Sequence, residues 1–167
     1  MKSKSIRIVV LAVIGFLSLW GCEEFVRRKI GGFAGSYPFV EYWEINASEQ
    51  EVITAIRELV KSNPGYRPPD STEHISTRDS SIENDYWLHI VLYYPDTREV
   101  VQSWTRPDAD TSVTTFAFVG LRSIDRPSEM RLINRDLWFL ANRQQIRKFK
   151  TTFVDRIIHQ IDKCRVR

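Results

Sequence analysis

The stretch Asp85–Arg106, DYWLHIVLYYPDTREVVQSWTR, constrains the fold more than any other part of the chain. Two runs rich in β-branched and aromatic residues flank Pro95-Asp96-Thr97-Arg98, where proline suits the second position of a type I turn. Pairing about that turn sets Tyr93 opposite Val100, Val91 opposite Gln102, His89 opposite Trp104 and Trp87 opposite Arg106. Side chains alternate across a strand, so Leu88, Ile90, Leu92 and Val101 share an aliphatic core face. The other face carries Trp87, His89, Tyr93, Gln102, Trp104 and Arg106. Rigid aromatics that anchor beside polar groups that orient are the composition of an interaction surface. Val91 and Val100 lie among them, and large exposed patches are rare. Both points favour the other reading, in which a helix or the N-terminal segment covers this face and its aromatics are core.

The remaining elements follow from local patterns. Tyr37–Ile45, YPFVEYWEI, has the composition of a strand. Ser48 and Glu51 form a capping box, and Val52, Ile53, Ile56, Leu59 and Val60 recur at helical spacing until Asn63-Pro64-Gly65 stops the helix. From Asn63 to Asp85 the chain is rich in Pro, Ser, Thr, Asp and Glu without periodicity, a connection long enough to be functional or disordered. After the hairpin, Ser112–Leu121 is a third consecutive β run. Asn142 and Gln145 resemble a second capping box, opening a long C-terminal helix with the stripe Ile146, Phe149, Phe153, Ile157, Ile161 and Cys164. The order β-α-β-β-β-α predicts a single α+β domain over 37–167, an antiparallel sheet of about four strands with two helices packed on it.

The N-terminus is of another kind. MKSKSIR is basic, and Ile8–Trp20 is an uncharged run of thirteen residues, the length of a signal-peptide core and short of the ~20 needed to span a bilayer. Leu19-Trp20-Gly21-Cys22 ends it and resembles the lipobox of bacterial lipoproteins. That resemblance implies a leader over 1–21, cleavage before Cys22, and a lipid-bearing thioether at its sulfur, with a third chain on the new N-terminus. Trp20 departs from the family pattern, which has a small or β-branched residue there. Residues 22–36, with three glycines and no periodicity, read as the lipidated cysteine and a flexible tether. Glu23 follows the cysteine where an inner-membrane retention signal would have aspartate, which leans toward the outer membrane. The remainder is similar in kind to small envelope lipoproteins of Gram-negative bacteria.

Charge and motif content narrow the function. Lys2, Lys4 and Arg7 account for the whole formal charge of +3, because the leader holds no acid. A balanced mature chain gives no electrostatic case for nucleic acid. His74, His89 and His159 fall in a loop, a strand and a helix, with no His-x-x-x-His or Cys-x-x-Cys spacing for a metal. Asp108-Ala109-Asp110 lacks the glycine and distal glutamate of a calcium loop and reads as a hairpin connection. Neither a nucleophile elbow nor a phosphate-cradling glycine loop occurs. The expectation is a cell-envelope lipoprotein, held in the membrane through Cys22, without cofactor or catalytic residues. Its domain would bind another envelope protein, as an inhibitor or immunity-type module; the alternative is capture of a small molecule or glycan on the aromatic face.

Overall fold

A computed structural model describes residues 2–30, 37–69, 87–109 and 111–166. The domain is α+β: one antiparallel sheet in the order β1-β4-β3-β2, with a short β5 also on β4. The strands are β1 (Glu41–Ile45), β2 (Leu88–Tyr94), β3 (Glu99–Pro107), β4 (Thr114–Ser123) and β5 (Arg131–Leu132). Helix α1 covers Lys2–Lys29 and α2 covers Glu49–Ser62. At the C-terminal end, α3 (Phe139–Phe149), a π-helical turn (Lys150–Val154) and α4 (Asp155–Arg165) run on as one rod.

The hairpin register is the expected one: His89 pairs with Trp104, Val91 with Gln102 and Tyr93 with Val100. Its aliphatic face lies under the helices. Ile90, Leu92 and Val101 join Phe116, Phe118 and Leu121 of β4, and against them pack Val52, Ile56, Leu59 and Val60 of α2 with Phe149, Phe153, Ile157 and Ile161 of the C-terminal rod. The α2 capping box forms on both sides, the Ser48 hydroxyl accepting from the Glu51 amide and the Glu51 carboxylate accepting from the Ser48 amide at 2.8 Å. At the hairpin tip, the Lys148 ammonium sits 4.0 Å from the Tyr94 ring centre and donates to Asp96 at 2.8 Å, tying the turn to α3.

Between β3 and β4 the register slips. Gln102 faces Gly120 whereas Ser103 faces Phe118, which leaves Val119 as the extra residue of a bulge. The Val119 carbonyl accepts from the Ile133 amide at 3.0 Å, so the bulge also fastens the chain leaving β5. Gly120 is required here, because a Cβ would collide with the Arg131 carbonyl oxygen.

Four sequence expectations are corrected. The strand expected from Tyr37 begins only at Glu41, after a turn at Pro38 and Phe39. Asn142 and Gln145 do not cap the C-terminal helix, which starts three residues earlier at Phe139. Asn142 is instead buried. Its carboxamide accepts from the Asn134 amide at 2.8 Å and donates to the Asn134 side chain at 2.7 Å, holding Asn134 in the left-handed region at φ 61°. Cys164, placed on the apolar stripe, is exposed: it lines an open groove between α2 and α4 with Gln50, Glu51, Ala55 and Ile161. Finally, residues 22–29, read as part of an irregular tether, are helical and continue α1. Their i, i+3 and i, i+4 pairs, Glu24 with Arg27 at 2.6 Å and with Arg28 at 3.2 Å, favour a helix. Residues 31–36 and 70–86, the part of the long connection after Pro69, lie outside the described residues.

Candidate functional site

Six side chains were expected to share the second face of the hairpin, and they divide into two groups. Trp104 is 0% exposed and belongs to a small second core with Val40, Ala117 and Val119. Tyr93, 8% exposed, is buried as well. Trp87, His89, Gln102 and Arg106 are half-buried. The face is therefore covered in its middle. Its cover comes from the chain entering β1: the Tyr37 ring stands 5.4 Å from Trp87 and 5.8 Å from Trp104, and Trp87 meets Trp104 at 6.2 Å. Val40 closes the cluster from the same segment, and Met130 and Leu132 pack against it from the β5 side.

What remains open is a shallow cleft of about 310 Å³ lined by Tyr37, His89, Val91, Gln102 and Val119. The Tyr37 hydroxyl lies 3.5 Å from His89 Nε2 at its wall. Trp87 and Trp104 do not line this cleft. An imidazole, a carboxamide and a phenol around an apolar floor can orient a polar ligand group or a partner's backbone.

Other chemistry-bearing residues are scattered. His159 is exposed on α4, and His74 lies outside the described residues, as does Asp110. The Asp108 carboxylate accepts from the Ala109 amide at 2.7 Å, and the Asp108 amide donates to the Val113 carbonyl at 2.9 Å across the β3–β4 turn. Glu99 is buried and paired with Arg131 at 2.5 Å. Burial raises the Tyr94 phenol far above its ordinary value, with Glu99 and then Asp96 adding to the shift. Among the described residues, no group of three His, Cys, Asp or Glu converges to hold a metal ion.

The second place is the C-terminal half of α1. Cys22 is exposed there and free, and Gly21 before it has open space around its Cα. Within two turns the helix meets the domain: Arg27 donates to the Leu137 carbonyl at 3.0 Å, and the Arg28 guanidinium lies 5.9 Å from the Trp138 ring centre. Trp20 stands edge-on to Trp138 at 6.0 Å and to Phe139 at 5.8 Å. Sequence reasoning did not single out Trp138, Phe139 or Leu140. The available signal was the run of five apolar residues, Leu137 to Ala141, ahead of the helical stripe. Among the described residues, no helix is long and apolar enough to cross a membrane. No protein-family model matches the chain, and no curated protein does.

Proposed function

We propose that the chain is a bacterial cell-envelope lipoprotein whose lipid is carried by Cys22 and whose domain is a non-enzymatic interaction module. One observation carries this: Leu19-Trp20-Gly21-Cys22 closes an uncharged run of thirteen residues behind a basic start, and the cysteine stands exposed on its helix. A thiol open to solvent after a small residue is accessible both to the enzyme that forms the thioether and to the peptidase that cuts before it. Two or three fatty chains, at ~0.8 kcal/mol for each buried methylene, hold a domain stably where one chain holds it marginally. Glu23 directs the anchored domain to the outer membrane more than the inner.

The module's recognition elements are the half-buried Trp87, His89, Gln102 and Arg106 around Tyr37. A protein partner in the envelope, such as an incoming toxin or lytic enzyme that the domain neutralises, is the first reading. The cleft of about 310 Å³ beside His89 and Gln102 favours a second, capture of a small amphipathic molecule or glycan. The anchor is tested by intact mass. Protein extracted from membranes should have lost residues 1–21 and gained the mass of acyl chains on the Cys22 peptide, whereas Cys22→Ala should keep its full translated mass. An unmodified Cys22 peptide from the membrane form would refute the proposal.

A further inference from the structure

The geometry points to a second membrane contact: a patch at the start of α3, formed by Trp138 and Leu140 with Arg135 and Arg143 beside them, that docks on an anionic phospholipid surface. Trp138 is 54% exposed and Leu140 70% exposed, and Phe25 and Val26 of α1 add exposed apolar surface on the neighbouring element. Apart from Ile30, Tyr42, Ile158 and Val166, the large exposed apolar residues after Cys22 among the described residues lie on α1 or at the start of α3.

The charge beside the patch is mostly positive. Arg135 has Asp136 at 3.7 Å, and Lys148 and Lys150 further along are paired with Asp96 and Asp155, but from Leu137 to Arg147 the chain carries Arg143 and Arg147 and no acid. Arg143 lies over the Phe139 ring at 5.2 Å, which leaves its cation facing outward beside the patch. Tryptophan at a boundary between apolar and polar surroundings, flanked by arginine, is the composition that settles at the headgroup level of a bilayer.

Position selects lipid over a protein as the occupant. Cys22 precedes Arg27 by five helical residues, a rise of about 8 Å, and Arg27 is bonded to the carbonyl next to Trp138. This inference rests on the lipoprotein reading for that reason: acyl chains on Cys22 enter the bilayer within about two helical turns of the patch. Residues 22–29 then act as a helical strut that sets the domain's orientation, not as a loose leash. Processing completes the surface. Trp20 covers edges of Trp138 and Phe139 in the unprocessed chain, and cleavage before Cys22 would take that cover away as the lipid is installed.

The test uses the chain produced with its leader in a Gram-negative host, purified from membranes and reconstituted in vesicles of phosphatidylcholine with phosphatidylglycerol, both with brominated chains. Bromine quenches tryptophan only at close approach. Wild type should be quenched, Trp138→Phe should lose most of that quenching, and Leu140→Asp, an exposed change that leaves the fold intact, should reduce it at least twofold. Vesicles of brominated phosphatidylcholine alone should quench less than the anionic mixture. Equal quenching in wild type and Trp138→Phe would overturn the inference and leave the patch to a protein partner. The mass of the Cys22 peptide from the same sample separates the two proposals. An acylated Cys22 with an unquenched Trp138 refutes the docking patch alone, and a bare Cys22 with a quenched Trp138 refutes the anchor alone.

Discussion

Phe118 of β4 and Phe149 of α3 lie ring on ring, with centroids 4.5 Å apart and planes within 2° of parallel. This stack joins sheet and C-terminal rod at the middle of the core, and Phe116, Trp43 and Phe153 surround Phe149 with further ring contacts between 5.3 and 5.4 Å. Truncating Phe149 removes contacts on every side of a site that α3 cannot collapse. Phe149→Ala should cost about 3–5 kcal/mol, read as a lower urea midpoint at unchanged slope.

Gly120 predicts a different failure. A methyl group there meets the Arg131 carbonyl and the end of the Met130 side chain at once. Met130 can move, but the backbone of β5 is fixed by its pairing of Leu132 with Gly120. Gly120→Ala should destabilise by about 1–3 kcal/mol through overpacking. It should also raise hydrogen-exchange rates at the Ile133 amide, which is bonded to the bulge carbonyl of Val119.

The two capping-box readings separate by mutation. Ser48→Ala removes a cap that exists and should cost ~1 kcal/mol. Asn142→Ala should also destabilise, by about 1–3 kcal/mol, because it removes a buried carboxamide that bonds the half-buried Asn134 twice, not because a cap is lost. Gln145→Ala should be near neutral, because the helix starts at Phe139 and Gln145 closes no cap. Thermal unfolding of the three variants, measured together, distinguishes them.

Acid should weaken the α2 start. Hydrogen bonds from the Ser48 hydroxyl and amide, and then from Arg165, hold the Glu51 carboxyl below its ordinary 4.5. A depressed folded value means that its stabilisation is complete above the ordinary value and is lost as pH falls through the folded one. Asp96, lowered first by its hydrogen bond from Lys148, behaves in the same sense. Between about pH 6 and about pH 3, Glu51→Gln should therefore lose less stability than wild type in urea titrations, and the double variant with Asp96→Asn less still.

On the aromatic face, Trp104 and Gln102 should part company. Trp104 is fully buried, so Trp104→Ala should lower stability by about 3–5 kcal/mol and disturb binding only through the fold. Gln102→Ala and His89→Ala, at the cleft, should leave the unfolding midpoint nearly unchanged while weakening capture of the envelope partner. A Gln102→Ala variant that binds as wild type does would remove the cleft from recognition.

Local pattern alone determined the hairpin register, the α2 helix with its cap and stop, and the aliphatic half of the core. Those features depend on alternation, on helical spacing and on turn chemistry within a few residues of each other. The tertiary structure decided what long-range neighbours impose. Phe149, Phe153, Ile157 and Ile161 recur every four residues, and each such step in an α-helix overshoots a full turn by about 40°. The π turn at Lys150–Val154, closed by the Asp155 amide on the Lys150 carbonyl, winds less per residue and takes back part of that drift, so the line stays on the sheet. Tyr37 over Trp104 is likewise a meeting of segments far apart in sequence, and it decided that an apparent binding face is half core. Asn142 followed the same rule: a polar residue near a helix start reads as a cap, but the loop bearing Asn134 gave the buried carboxamide its partner. Burial depends on which distant residue arrives, and alternation within one segment cannot specify that.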